Sequence, residues 1–178
     1  MTFAPIQDVA AFAKQRHGTQ EYVPGHLHYD FHLVRVTQKL SMHGFTDYNY
    51  QAGGWTHDLI EDTETTLQEL VERCGHFVGA LVWCVTGIGH NRKTRNQNIA
   101  DKCALFPPAC ILKTADRLVN HETSICDPGK NGEPSIKHLL MYLNEREKFE
   151  AMVKGHIPES MWDELQRQYA RMEELARA

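Results

Sequence analysis

The sequence predicts an all-α protein, and three observations lead there. Apolar residues recur at three- and four-residue steps almost throughout, no stretch shows the strict alternation of a half-buried strand, and helix punctuation recurs along the chain at Pro5, Gly18, Asp47, Thr66, Pro107-Pro108 and Pro158. The 178 residues suit one domain of ordinary size, so residues 1–178 are read as a single domain with a core that needs no staples.

Composition narrows the function classes. A formal net charge of -4 argues against a broad nucleic-acid-binding face, because neutralising a polyanion backbone takes a basic surface. A small phosphorylated ligand needs only a local basic pocket and remains compatible. No segment has the apolar length of a membrane span, and Met1-Thr2-Phe3-Ala4-Pro5 lacks the basic and apolar regions of a signal peptide. A cytoplasmic protein without membrane or nucleic-acid partners is expected. The five cysteines, Cys74, Cys84, Cys103, Cys110 and Cys126, are odd in number and form no CxxC pair, so they read as reduced packing residues.

Taken in order, Pro5 starts a first helix whose stripe is Val9, Phe12 and Ala13 and which Gly18 stops. Glu21 to Gly25 reads as a loop, followed by a helix carrying Leu27, Phe31, Val34 and Leu40 to a stop near Gly44. Asp47 is the expected N-cap of the next helix, whose Ala52, Gly53 and Gly54 would let a neighbour approach closely. Thr66 and Glu69 have capping-box spacing, and Phe77 to Val85 is apolar nearly all round, as a central helix would be. Thr86-Gly87-Ile88-Gly89 ends it, ahead of the basic run Arg92, Lys93 and Arg95, which reads either as a phosphate-holding cluster or as a solvated basic face. Pro107 and Pro108 open a helix on which Lys113, Asp116, Arg117 and Asn120 share one side. Cys126 to Pro134 is the clearest loop; beyond it come a helix carrying Leu139, Tyr142 and Phe149 and a last one with Trp162, Leu165, Tyr169 and Met172. That last seam suits packing against the domain or against a second subunit, which would make a homo-oligomer.

The chemistry concentrates in Gly53-Gly54-Trp55-Thr56-His57-Asp58-Leu59-Ile60-Glu61-Asp62-Thr63. On a continuous helix Glu61 and Asp62 lie one turn beyond His57 and Asp58 on the same side. So many ionisable groups at one helix end are costly unless a cation holds them, and an imidazole beside a carboxylate is half of a divalent metal site. Two other segments supply further ligands, His32 and Asp116, both in apolar surroundings where an unpaired carboxylate would cost several kcal/mol.

The order His32, His57-Asp58, Asp116 resembles the ligand order of HD-domain phosphohydrolases. The string His57-Asp58-Leu59-Ile60-Glu61-Asp62-Thr63 is similar to the signature of the hydrolase domain of RelA/SpoT homologues, of the small alarmone hydrolase type, which degrade (p)ppGpp. His17 and Gln20 resemble the His-x-x-Gln that opens the family pattern, and Lys113 to Asn120 its K-x-A-D-R-x-x-N segment. The resemblance implies a compact multi-helix HD fold and a metal-dependent nucleotide phosphohydrolase releasing pyrophosphate from the 3′ position. It implies one divalent ion on His32, His57, Asp58 and Asp116, with manganese favoured and iron or zinc as alternatives. Glu61 and Asp62 would be catalytic; Tyr22, Arg92, Lys93, Lys113, Asn120, Thr123 and Tyr142 would contact the nucleotide. Lys113 equally suits balancing local acid charge, and Tyr142 equally suits the core.

Two departures stand out. The prolines around Tyr29 and His32 are missing, and Tyr22-Val23 stand where the family has an arginine that stacks on guanine. The same site acting on another nucleotide (an adenine alarmone, a deoxynucleoside triphosphate or the 2′-phosphate of NADPH) is therefore the second reading. A retired, nucleotide-binding HD domain is the third, and its expected sign, erosion of Glu61, Asp62 or a ligand, is missing.

Overall fold

The computed structural model of the chain describes residues 3–178; Met1 and Thr2, part of the stretch read for leader character, lie outside them. Helix α1 (Ile6–His17) leads through a short hairpin, β1 (Glu21–Val23) and β2 (Leu27–His28), into α2 (Tyr29–Met42). Then follow α3 (Tyr48–Thr56), α4 (Leu59–Asp62), α5 (Leu67–Cys74), α6 (His76–Val85), α7 (Arg92–Leu105), α8 (Ala109–Ile125), α9 (Ile136–Val153) and α10 (Glu159–Arg177). The fold is all-α apart from the hairpin. No helix among the described residues is long and apolar enough to cross a membrane.

Local chemistry sets several boundaries. Asp47 caps α3 by accepting from the backbone N–H groups of Asn49 and Tyr50, and Thr66 caps α5 by accepting from that of Glu69. Gly18 leaves α1 at φ +55°, in the left-handed region. Val9, Phe12 and Ala13 of α1 bury as read, and of the α10 stripe Leu165, Tyr169 and Met172 are buried and Trp162 partly so, packing inside this chain against α8 and α9.

The structure differs from the sequence reading in two places and adds a helix the reading left open. Residues 21–28 form an antiparallel hairpin turned at Pro24-Gly25, where Gly25 has φ +72° and Leu27 pairs with Val23 instead of starting α2. Strands this short carry too few residues for alternation to show. The His57-Asp58 stretch is a break, with α3 ending at Thr56 and α4 restarting at Leu59. The His57 ring donates from Nδ1 to the Gly54 carbonyl at 2.9 Å, taking the acceptor that the Asp58 N–H would use in a continuous helix. The basic run from Arg92 is itself helical: Asn91 and Thr94 form a reciprocal capping box that starts α7.

Gly53 and Gly54 set how closely α3 is gripped. A Cβ at Gly54 would stand 2.7 Å from Thr37 Cγ2 and 3.3 Å from Thr37 Cα of α2, while one at Gly53 would touch Leu81 of α6 and Leu112 of α8, both at 3.4 Å. The glycines thus face opposite neighbours and let α3 lie between the helices that carry the other candidate ligands. Gly54→Ala should force α2 and α3 apart, destabilising by about 1–3 kcal/mol and lowering Tm by roughly 2–12 °C, whereas Gly53→Ala should cost less. Thermal unfolding of the two variants checks the order.

Candidate active site

Four helical segments converge on one point. His32 comes from the first turn of α2, His57 and Asp58 from the α3–α4 break, and Asp116 from the middle of α8. The Nε2 atoms of His32 and His57 lie 3.1 Å apart. Asp58 Oδ2 is 2.9 Å from His57 Nε2 and 3.6 Å from His32 Nε2, and Asp116 Oδ1 is 3.3 Å from His32 Nε2. His32, His57 and Asp58 alone already satisfy the spacing of ligands around a single ion.

The donor set fits a divalent metal. With Nδ1–H committed to Gly54, the neutral His57 ring presents a bare lone pair on Nε2, the tautomer a metal takes. Two imidazole nitrogens and two carboxylates facing one another repel unless positive charge sits among them. Burial alone would push the His57 imidazole down, yet the Asp58 carboxylate outweighs it and raises the group from 6.5 to about 9. Burial would likewise raise both aspartates, but His57 holds Asp58, and Lys113 holds Asp116, below the usual carboxylate range. In the metal-free chain a proton stands in for the cation.

Each carboxylate is held from behind. Tyr29 donates its hydroxyl to Asp58 Oδ2 at 2.6 Å while its ring stacks on His17. Lys113 donates to Asp116 Oδ2 at 2.9 Å and Asn120 Nδ2 to Asp116 Oδ1 at 2.5 Å. Glu61 Oε2 accepts from the Gly87 backbone N–H at 3.0 Å, and Arg95 lies 3.6 Å from its other oxygen. Asp62 Oδ2 accepts from Gln20 Nε2 at 2.9 Å, and Gln20 is oriented by His17 Nδ1 at 2.8 Å.

His32, Asp58, Asp116, Glu61 and Asp62 line a cavity of about 220 Å³ that also receives Arg92, Arg95, Arg117 and Tyr142. A second cavity of about 340 Å³, sharing Arg92, Asn120 and Tyr142, is bounded by Tyr22 and Thr123. Tyr22 does not stand free as a stacking platform: one face lies on the His32 ring at 4.5 Å, and its hydroxyl donates toward Asn120 Oδ1 and Thr123 Oγ1. Tyr142 is buried beneath the guanidinium groups of Arg92 and Arg117. Lys113 is spent on Asp116, and Lys93 lines neither cavity but a groove beyond Arg92. Sequence reasoning passed over Glu145, which accepts from Arg92 Nε at 2.5 Å and Arg117 at 2.8 Å. Nothing in the polar run around Glu145 distinguishes it before α7, α8 and α9 are assembled.

An all-helical fold that gathers two imidazoles and two carboxylates around one point, with an acidic pair one turn on, is of the HD-type hydrolase class. No family model matches the chain. The chain is 36% identical over 123 residues to the guanosine-3′,5′-bis(diphosphate) 3′-pyrophosphohydrolase of Aquifex aeolicus, covering 66% of this chain but 17% of that protein. It is 30% identical over 132 residues to the guanosine-3′,5′-bis(diphosphate) 3′-pyrophosphohydrolase MESH1 of Danio rerio, covering 70% of this chain and 72% of the relative. The fold matches, with a TM-score of 0.73 at 19% identity over 99% of this chain and 97% of the other, a solved structure described as a metazoan ortholog of SpoT that hydrolyzes ppGpp. The chain belongs to the guanosine-3′,5′-bis(diphosphate) 3′-pyrophosphohydrolase family.

The pH behaviour follows from His57. Its raised folded-state pKa stabilises the metal-free chain fully below pH 6.5, and that contribution is lost as pH rises through about 9. A metal must displace the same proton. Loading at pH 7.5 should therefore release about one proton per ion from His57, read as a buffer-dependent calorimetric enthalpy, and apparent affinity should climb about tenfold per pH unit between roughly pH 6.5 and 8.5.

Proposed function

We propose that this chain is a metal-dependent (p)ppGpp 3′-pyrophosphohydrolase, acting as a single domain over residues 1–178 in the cytoplasm. The observation that carries the reading is the convergence of His32, His57, Asp58 and Asp116 beside a cavity that also holds Glu61, Asp62 and three arginines. The family relationship supports the same substrate class.

The four ligands would hold one divalent ion, manganese on the strength of the family resemblance, which when bound polarises a phosphoryl oxygen and acidifies water. The protein's own groups then divide the remaining work. Arg92, Arg95 and Arg117 meet the pyrophosphoryl oxygens, where guanidinium geometry suits bidentate contact. Asp62 has one oxygen held by Gln20, which leaves the other to orient the attacking water and take its proton. Water adds to the phosphorus bonded to the 3′ oxygen, that bond breaks, and the 3′ oxygen leaves with a proton relayed through the Glu61-Asp62 pair. The products are pyrophosphate and GDP or GTP.

Hydrolysis of ppGpp with manganese, followed by product separation, tests the reading: pyrophosphate and GDP are expected. Asp58→Ala should lower turnover at least about a thousandfold with the helical signal kept, and unchanged activity would refute the site. Gln20→Leu should lower kcat by roughly tenfold or more while leaving metal stoichiometry at one, because it frees Asp62 without touching a ligand.

A specific observation favours one further reading. In the second cavity the Arg92 guanidinium is held by Glu145 and Tyr22 is tied to His32 and α8, so neither group is dedicated to guanine. An adenine alarmone would then be cleaved at a comparable rate, and a side-by-side assay of guanine and adenine alarmones separates the two.

A further inference from the structure

A cavity larger than the one that holds the acidic pair borders it at Arg92 and Arg117. A groove of about 660 Å³ runs between α7 and α9, floored by Leu140, Met141, Phe149 and Met152. Leu140 is 47% exposed, a large apolar side chain that nothing in the chain covers. Around this floor stand six cationic side chains and one carboxylate, Glu145. Lys113 is compensated by Asp116, and Glu145 offsets one of the two arginines it bridges, so four positive charges are left over in a chain whose net charge is -4. Among the described residues, Lys93, Lys137 and Lys148 sit in no ion pair.

We propose that this groove is a second, non-catalytic binding site for a nucleoside polyphosphate. The charge surplus matches several phosphate charges and exceeds what a single carboxylate would need. The floor, with Leu140 and two methionines, suits the face of a planar base. The size is that of a small-molecule pocket. Lys137, Met141 and Lys148 recur on one face of α9, and the two lysines lie roughly 16 Å apart along the axis, about the reach from a base to its terminal phosphate. The wall between groove and catalytic cavity is the Arg92–Glu145–Arg117 bridge. Phosphates in the groove compete with Glu145 for Arg92, so an occupied groove alters the cations offered to the substrate. This proposal goes beyond the hydrolytic reading and does not require it.

The test is calorimetric titration of the metal-loaded enzyme with ADP, ATP, GDP and GTP, repeated on a Lys137→Glu/Lys148→Glu variant. Both lysines are exposed and outside the catalytic cavity, and a Lys137→Ala/Lys148→Ala variant serves if the charge reversal does not fold. At least one nucleotide should bind the wild type and bind the double variant about tenfold or more weakly. Hydrolysis of ppGpp by the variant without added nucleotide should stay within about twofold of the wild type. An Asp58→Ala protein should bind the nucleotide as the wild type does, whatever its activity, which separates failure of this site from failure of the hydrolytic reading. The proposal is overturned if no nucleotide binds, if wild type and variant bind alike, if inorganic pyrophosphate binds as tightly as the nucleotide, or if ppGpp hydrolysis falls in parallel with binding.

Discussion

Mutual repulsion at the meeting point of α2, α3 and α8 is the constraint around which the rest of the molecule is arranged. Two imidazole nitrogens 3.1 Å apart and two aspartates within 3.3 Å and 2.9 Å of them meet where His32, His57 and Asp116 are buried and Asp58 is mostly so, and charge there is poorly screened. Such a cluster survives only with positive charge at its centre. A proton on His57 supplies it in the metal-free chain, and a divalent ion supplies it better, because one ion meets all four donors at once.

Holding the donors in place takes both packing and polar support. The Gly53-Gly54 pair lets α3 sit tightly against α2 on one side and against α6 and α8 on the other, which brings His57 within reach of His32. Behind the ligands, Tyr29, Lys113 and Asn120 each give a hydrogen bond to a carboxylate, and Gln20 and the Gly87 backbone do the same for Asp62 and Glu61. Lys113 and Asn120 flank Asp116 on α8, while Tyr29, Gln20 and Gly87 come from other elements, and each leaves its carboxylate less freedom to turn away. Oriented ligands are what a reactive centre requires, since misplacement by an ångström erodes the benefit of proximity.

The cations follow a different logic. Arg92 and Arg117 share Glu145 and together roof Tyr142, so they are parked at the edge of the catalytic cavity rather than free in solvent. A side chain held by a single carboxylate can be drawn to a stronger anion from either side. This makes the α7–α9 wall the natural point of communication between the substrate cavity and the groove behind it.

The helical class was legible because the packing stripes of α1, α6 and α10 recur along the chain itself, and the family was legible because His57 to Thr63 and Lys113 to Asn120 carry their spacing locally. The hairpin was not, since strands of three and two residues show no period, nor was the break at His57, which depends on a ring reaching back to the Gly54 carbonyl. Lys93 and Arg92 look equivalent in sequence, yet of the two Arg92 faces the catalytic cavity, and Tyr22 lines the second cavity with one ring face already on His32. The sequence alone determined which donors exist and which helices carry them, because helix periodicity and motif spacing are properties of neighbouring residues. Which arginines are drawn to Glu145, and which ring Tyr22 rests on, was decided only by tertiary structure, because those partners come from other elements, whereas Lys113 and Asp116 stand three residues apart on one helix.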